Sequence, residues 1–247
     1  MEVKIFDTNE LCGKAAADRG AEIIRKAIAE KGQAAIILAT GNSQLSMIQN
    51  LIEKKDLDWS RVTCFHLDEY VGLPDTHPAS FRKYLREKFV SKVGTLKDFF
   101  YVNGETENPE EECRRLDSLI SAYEIDAAFI GIGENSHIAF NDPPADFNTE
   151  KPYLIVTLDP ACRQQQMNEG WFSSQKEVPE QAISMSVRQI MKSRSIICTV
   201  PERRKAEAVR LTMEREISPL YPATILRKHS DCSLFLDRES SSLLTDR

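Results

Sequence analysis

Apolar residues along this chain fall in short consecutive blocks, separated by longer stretches in which they recur every three or four positions. The blocks are AAIILAT (34–40), RVTCFHL (61–67), DAAFIGIG (126–133), YLIVTL (153–158), AISMSV (182–187), SIICTV (195–200) and CSLFLD (232–237). Continuous apolar runs suit strands buried on both faces, as in a parallel sheet covered by helices, better than the alternation of a half-exposed antiparallel sheet. The periodic stretches cover 10–31, 43–54, 79–90, 109–123 and 202–214. In the first, Leu11, Ala15, Ala21, Ile24, Ala27 and Ile28 fall at helical intervals while charges fill the opposite face. Ser43 and Pro109 are helix-start signals. Strands and helices alternate. The expected fold is therefore α/β: an open, doubly wound, mostly parallel, Rossmann-like sheet with helices on both faces and its ligand beyond the carboxyl ends of the strands.

With 247 residues the chain can bury a sizeable core, and we expect one domain over 1–247. The least regular stretch is 143–152, whose prolines and polar residues read as a loop. A segment of about 143–180 is the expected lid. Hydrophobic residues make up 41% and charged residues 28%, and there is neither an internal repeat nor a low-complexity tract, so the chain is globular. The net charge of -6 argues against nucleic acid as a partner, which confines any phosphate site to a local pocket. No apolar run reaches the length of a membrane span, and MEVKIFDTNE lacks the basic and apolar segments of a signal peptide; we expect a cytoplasmic protein with no membrane partner. The six cysteines show no C-x-x-C pair and no metal-type spacing with the four histidines. They are expected to be free thiols, with no metal and no cofactor implied.

Four places carry candidate chemistry. In LATGNSQLS an apolar strand ends at Thr40, Gly41, Asn42 and Ser43 before an amphipathic helix; glycine permits close backbone approach, and free N–H groups at a helix start favour an anion. An ordinary capped turn fits the same residues. In FHLDEYVGLP the carboxylates Asp68 and Glu69 follow a strand, where one of them can remove a proton next to a carbonyl if burial raises its pKa; a cap or loop ion pair is the alternative. In FIGIGENSHIAFNDPP, Gly131 and Gly133 lead into His137, with Asn135 before it and Asp142 after it. Histidine shuttles protons near neutral pH, and either neighbour can orient its ring. Lys205 and Arg163 are the candidate phosphate cations, whereas Arg203 and Arg204 read as a solvated helix face.

Nearly the whole chain resembles the glucosamine-6-phosphate deaminase family, which is related to the 6-phosphogluconolactonases. The resemblance is carried by LDEYVGLPDTHPASFRKYL (67–85) and GIGENSHIAFNDP (131–143), with support from ATGNSQ (39–44) and the Lys205 segment. It implies ring opening, proton transfer between C1 and C2, and release of ammonia to give fructose 6-phosphate, so the expected partner is a small sugar phosphate. Asp68 matches the proton-transferring aspartate and His137 the histidine of ring opening. Asp142 falls where many members carry a glutamate partner; Thr40, Gly41, Asn42, Ser43 and Lys205 fall in phosphate-contacting segments. Glu69 and Gly133 are expected to touch substrate.

Three features depart from the family pattern. Many members read D-G-H where this chain has Asn135-Ser136-His137, which removes a charge beside the histidine. The stretch 161–172 does not align cleanly with the family's phosphate-binding arginine, and Arg163 is the expected substitute. The arginine and longer tail of allosteric members are missing, so allosteric control is not expected. A lactone hydrolase, in which His137 activates water, and a non-catalytic sugar-phosphate sensor are the rival readings. The sequence leaves open a monomer or a homo-oligomer.

Overall fold

In the computed structural model, which describes residues 1–168 and 170–245, the chain runs β1 (Glu2–Phe6), α1 (Asn9–Lys31), β2 (Ala34–Leu38), α2 (Asn42–Ile52), β3 (Val62–His66), β4 (Asp68–Tyr70) and α3 (Phe81–Leu85). It continues through α4 (Ser91–Val93), β5 (Asp98–Phe100), α5 (Pro109–Ile120), β6 (Ala127–Ile130), β7 (Tyr153–Thr157) and α6 (Pro160–Asn168). The last elements are β8 (Gln181–Met185), α7 (Val187–Met191), β9 (Ser195–Val200), α8 (Ala206–Glu214) and β10 (Cys232–Asp237).

Seven strands form one sheet in the order β1-β10-β9-β6-β2-β3-β5, and every neighbouring pair in it is parallel. The consecutive apolar runs are explained by the two faces they must cover. Ala34, Ile36 and Leu38 of β2 join the core shared with α1 and α2, whereas Ala35, Ile37 and Ala39 join the core on the opposite face. Phe129 against Ala128 and Ile130 on β6 divides in the same way. The strand order reverses between β2 and β6, and a crevice opens beyond their carboxyl ends at such a switch point.

Two of the expected parallel strands lie elsewhere. The runs at 153–158 and 182–187 become β7 and β8, which form a separate antiparallel sheet in the order β4-β8-β7. β8 reads as apolar throughout because it is the central strand and is buried after its first residue, while β7 is half-exposed. An apolar block by itself does not say which sheet will bury it. β1, β4 and β5 gave no apolar block: β1 and β5 are partly exposed edge strands, and β4 is the buried but polar Asp68-Glu69-Tyr70.

The helix starts follow local chemistry. Thr8 accepts from the Leu11 N–H at the start of α1, and Gly32 closes that helix at φ 74°. Asn108 accepts from the Glu111 N–H, with Pro109 in the first turn of α5. The expected helix at 79–90 is α3, capped by Ser80, followed by a π-helical turn over Arg86–Val90. All six cysteines are free and buried. No helix among the described residues is long and apolar enough to cross a membrane.

Candidate active site

A solvent-open cleft of about 540 Å³ lies at the switch point. Its lining includes Thr40, Gly41 and Ser43 after β2, Asp68 on β4, Gly133 and His137 after β6, and Lys205 before α8. Residues far apart in sequence meet there because the parallel strands all deliver their following loops to the same edge of the sheet.

The anion end is built on α2. Gly41, at φ 100°, is the N-cap residue and offers no side chain of its own, so the first backbone N–H groups of an eleven-residue helix stay available at the cleft. Tyr84 donates its hydroxyl hydrogen to Gly41 O (3.0 Å), which holds this turn to the helical segment after β4. Lys205 lines the cleft and is buried. Asn42 points elsewhere: it lines a neighbouring crevice with Pro78, Tyr84 and Trp171.

Asp68 is 5% exposed, and burial first and the charge of Glu69 second push its carboxyl up to about 8. That places a carboxyl able to take or give a proton near neutral pH inside the cleft. Its neighbour is a different kind of acid. Glu69 Oε1 accepts from the Tyr70 N–H (2.9 Å) and the Phe81 N–H (3.3 Å); Oε2 accepts from Ser80 Oγ (2.9 Å) and the Arg82 N–H (2.8 Å). Arg82 Nε stands 3.6 Å away. Burial raises the Glu69 pKa while these hydrogen bonds oppose the rise. The expectation that Glu69 touches substrate is corrected, because its acceptors are already committed to bracing the start of α3.

The His137 loop is tightly wound. A Cβ on Gly133 would sit 2.2 Å from ring atoms of His137, so only glycine lets the imidazole lie over this backbone. Behind the ring, His137 Nδ1 is 3.0 Å from Asp142 Oδ1, close enough for an ion pair but out of line for a hydrogen bond. Asn135 Nδ2 donates to the same Asp142 oxygen (3.0 Å), and the His137 backbone N–H donates to Asn135 Oδ1 (3.1 Å). Of the two neighbours that could orient the ring, Asn135 clamps the loop instead. Asp142 Oδ2 accepts from the Asp159 N–H (3.0 Å). Burial works to raise the Asp142 pKa, but His137, Asn135 and Asp159 outweigh it and hold the carboxyl below its ordinary value. Neither Asn135 nor Asp142 lines the cleft, so both act behind the histidine. Cys162 joins Asp142 and His137 with ligand-type atoms within 4.8 Å of one another, a donor set of the kind divalent metals take.

Ser136 has φ 70° and Ala139 φ 49°, both in the left-handed region, and Glu202 before Lys205 has φ 82°. Non-glycine residues there are strained, and all three flank loops that line the cleft. Burial of Ser136 leaves its hydroxyl without a partner.

Arg163 is corrected outright. Its guanidinium donates to the carbonyls of Val178 (2.8 and 3.2 Å) and Gln175 (2.8 Å), fastening α6 to the following turn rather than facing the cleft. The residues of α6 that do line the cleft are Gln165 and Gln166, which sequence reasoning missed. Phe81 and Phe140, also missed, form an aromatic wall, their rings nearly parallel with centroids 5.6 Å apart. Asn141 holds the histidine loop to the small sheet by donating to Ile138 O and Met185 O (both 2.8 Å).

Residues 7–235 match the sequence profile of the family described as glucosamine-6-phosphate isomerases/6-phosphogluconolactonase. A glucosamine-6-phosphate deaminase of Thermoanaerobacter sp. (strain X514) is 36% identical over 233 residues, covering 92% of this chain and 90% of its own length. One of Bacillus cereus (strain B4264) is 35% identical over 230 residues, covering 93% and 86%. The solved structure of a monomeric glucosamine-6-phosphate deaminase superposes with a TM-score of 0.89 at 34% identity, over 98% of this chain and 100% of that one. A 6-phosphogluconolactonase from Shewanella baltica OS155 superposes at 0.80 over 96% and 97%, but with 19% identity it shares the fold alone.

Proposed function

The chain belongs to the family of glucosamine-6-phosphate isomerases and 6-phosphogluconolactonases and is an enzyme of its glucosamine-6-phosphate deaminase branch; we propose that Asp68 and His137 carry its reaction on a hexosamine 6-phosphate. The phosphate rests on the Thr40–Ser43 turn and Lys205. His137 moves a proton between the C1 hydroxyl and the ring oxygen, breaking the ring C1–O5 bond and freeing the C1 carbonyl. Asp68 then removes the C2 proton while the C1 carbonyl oxygen takes up a proton, giving an enolamine, and Asp68 returns its proton to C1 as the nitrogen releases one. This converts the amine at C2 into an imine; water adds to it, ammonia leaves, and a ketose 6-phosphate remains.

The observation that carries this reading is a carboxyl with a pKa raised to about 8 in one cleft with an imidazole and an anion-binding helix start. A base poised near the working pH combines availability with driving force. Asp142 and Asn135 hold the histidine, and the segment of about 143–180 acts as the lid of a single domain. We further propose that the protein works as a monomer in the cytoplasm, in keeping with the monomeric relative and with six free, buried thiols.

The test is exchange of the C2 proton with solvent. Asp68→Asn should slow it by about 10²–10⁴-fold, the usual worth of a positioned acid or base, while binding of inorganic phosphate stays within error of wild type. Undiminished exchange would remove Asp68 from the mechanism. Assaying ammonia from glucosamine 6-phosphate and galactosamine 6-phosphate beside acid release from a sugar-phosphate lactone separates deaminase from lactonase and reads the sugar's stereochemistry. Binding with no turnover of any of them would favour a sensor.

A further inference from the structure

We propose that Gln166 is a specificity-determining residue whose side-chain amide donates a hydrogen bond to an oxygen of the sugar itself, rather than to its phosphate. This deepens the reading of the cleft as a hexosamine 6-phosphate site and rests on it.

Gln166 lies on α6, is 6% exposed and lines the cleft. Its Oε1 accepts the hydroxyl hydrogen of Tyr70 at 2.8 Å. Tyr70 has little freedom, because its ring packs against Phe81, Phe140 and Phe172 with centroids 5.0, 5.2 and 5.7 Å away. A fixed hydroxyl fixes the carboxamide that receives it, and the Nε2 end has no acceptor among the described residues. A nearly buried amide with its acceptor engaged presents its donors to the open cleft, where a ligand atom with a lone pair can meet them.

Such a group selects by polarity. It welcomes a hydroxyl or ring oxygen and rejects a protonated amine, which has only hydrogens to offer. The anion end of the cleft has its own donors in the Thr40–Ser43 turn and Lys205, so a neutral amide is fitted to the uncharged part of the ligand. Gln165 beside it is occupied differently, since its Oε1 accepts the Glu134 N–H at 2.9 Å.

The test compares Gln166→Leu, Gln166→Glu and Tyr70→Phe in the full-length enzyme. Leu removes the donor, and Glu replaces it by an oxygen facing the sugar's lone pair. Tyr70→Phe keeps the amide but frees its orientation. Expected KM increases for glucosamine 6-phosphate are about threefold for Tyr70→Phe, about tenfold for Gln166→Leu and more for Gln166→Glu, with kcat little changed. With either the 3-deoxy or the 4-deoxy analogue, wild type and Gln166→Leu should become indistinguishable. A purely structural glutamine predicts the opposite order, with the shape-conserving Glu milder than Leu. That order, an unchanged KM in both Gln166 variants, or an equal loss of inorganic phosphate affinity overturns the proposal. Should the wild type release no ammonia, the deaminase reading fails on its own account. Calorimetric binding of glucose 6-phosphate then decides for Gln166: a roughly tenfold loss in Gln166→Leu upholds the contact, and equal affinities refute it.

Discussion

Asp68 is asked to be buried and to ionise, and the two demands conflict. Its folded pKa of about 8 lies above the ordinary 3.8, so the folded protein holds a proton that the unfolded chain has released between those values. The stability gained from that retained proton is fully present below about pH 4 and is lost as pH rises through about 8. Asp68→Asn, neutral at every pH, should therefore stabilise the protein relative to wild type more at pH 9 than at pH 5, by about 1 kcal/mol or more in urea titrations. In the free wild-type enzyme, C2 proton exchange should rise with pH to a plateau with a midpoint near 8. A flat profile would show that a different group sets the rate. Ser136 makes a related point about strain. At φ 70° it occupies the backbone region that glycine enters freely, so Ser136→Gly should raise stability by about 0.5–1 kcal/mol, measured by the urea midpoint at unchanged slope. Asp68 and His137 were legible in the sequence because charged or ring-bearing residues immediately after apolar strands stand out. Gln165 and Gln166 were not, since an amide on a polar helix gives no signal until packing decides which side faces the cleft. Arg163 misled for the converse reason: its charge suggested phosphate, while three hydrogen bonds from its Nε and Nη2 to carbonyls turn the guanidinium away from the cleft.

At the level of elements, β4 explains why one acid of the Asp68-Glu69 pair lines the cleft and the other braces the fold. Alternation along a strand sends successive side chains to opposite faces. Asp68 therefore meets the cleft while Glu69 turns back to collect three backbone N–H groups and a hydroxyl. Glu69→Ala would leave those donors without acceptors and should cost about 3 kcal/mol in stability, with a rise in KM because Phe81 on the cleft wall is held by the same carboxylate. A stability loss with KM untouched would mean that α3 keeps its place without the brace. The five inner parallel strands were readable from their apolar runs because both faces of each are covered. The small antiparallel sheet was not, as β4 is short and polar and β8 imitates a parallel strand by being central. Helix α6 escaped notice because its sequence, PACRQQQMN, carries few apolar residues and packs largely through amides.

For the whole molecule, the arrangement depends on the reversal of strand order between β2 and β6, which gathers a helix start, a buried carboxyl, a histidine and a lysine from four separate parts of the chain. Sequence order alone supported the α/β class. Which loops meet follows from β6 pairing with β2 rather than continuing beyond β5, and no local pattern encodes that choice. For the monomer proposed above, sedimentation should give a single species near 28.0 kDa that retains full specific activity on dilution. Activity falling with dilution would point to an assembly. The attachment of α6 has a wider consequence. Thr157 at the end of β7 stands opposite Gln181 at the start of β8, so residues 158–180 form a detour that leaves and re-enters one hairpin at a single rung. Such a detour can be exchanged for one of different length or composition while the ladder beneath it, and Asp68 paired to Ser184 on that ladder, keep their register. A replacement detour has one fixed obligation to the cleft, an N–H in the place of Asp159 for the carboxylate that backs His137, and beyond that its helix is free to vary.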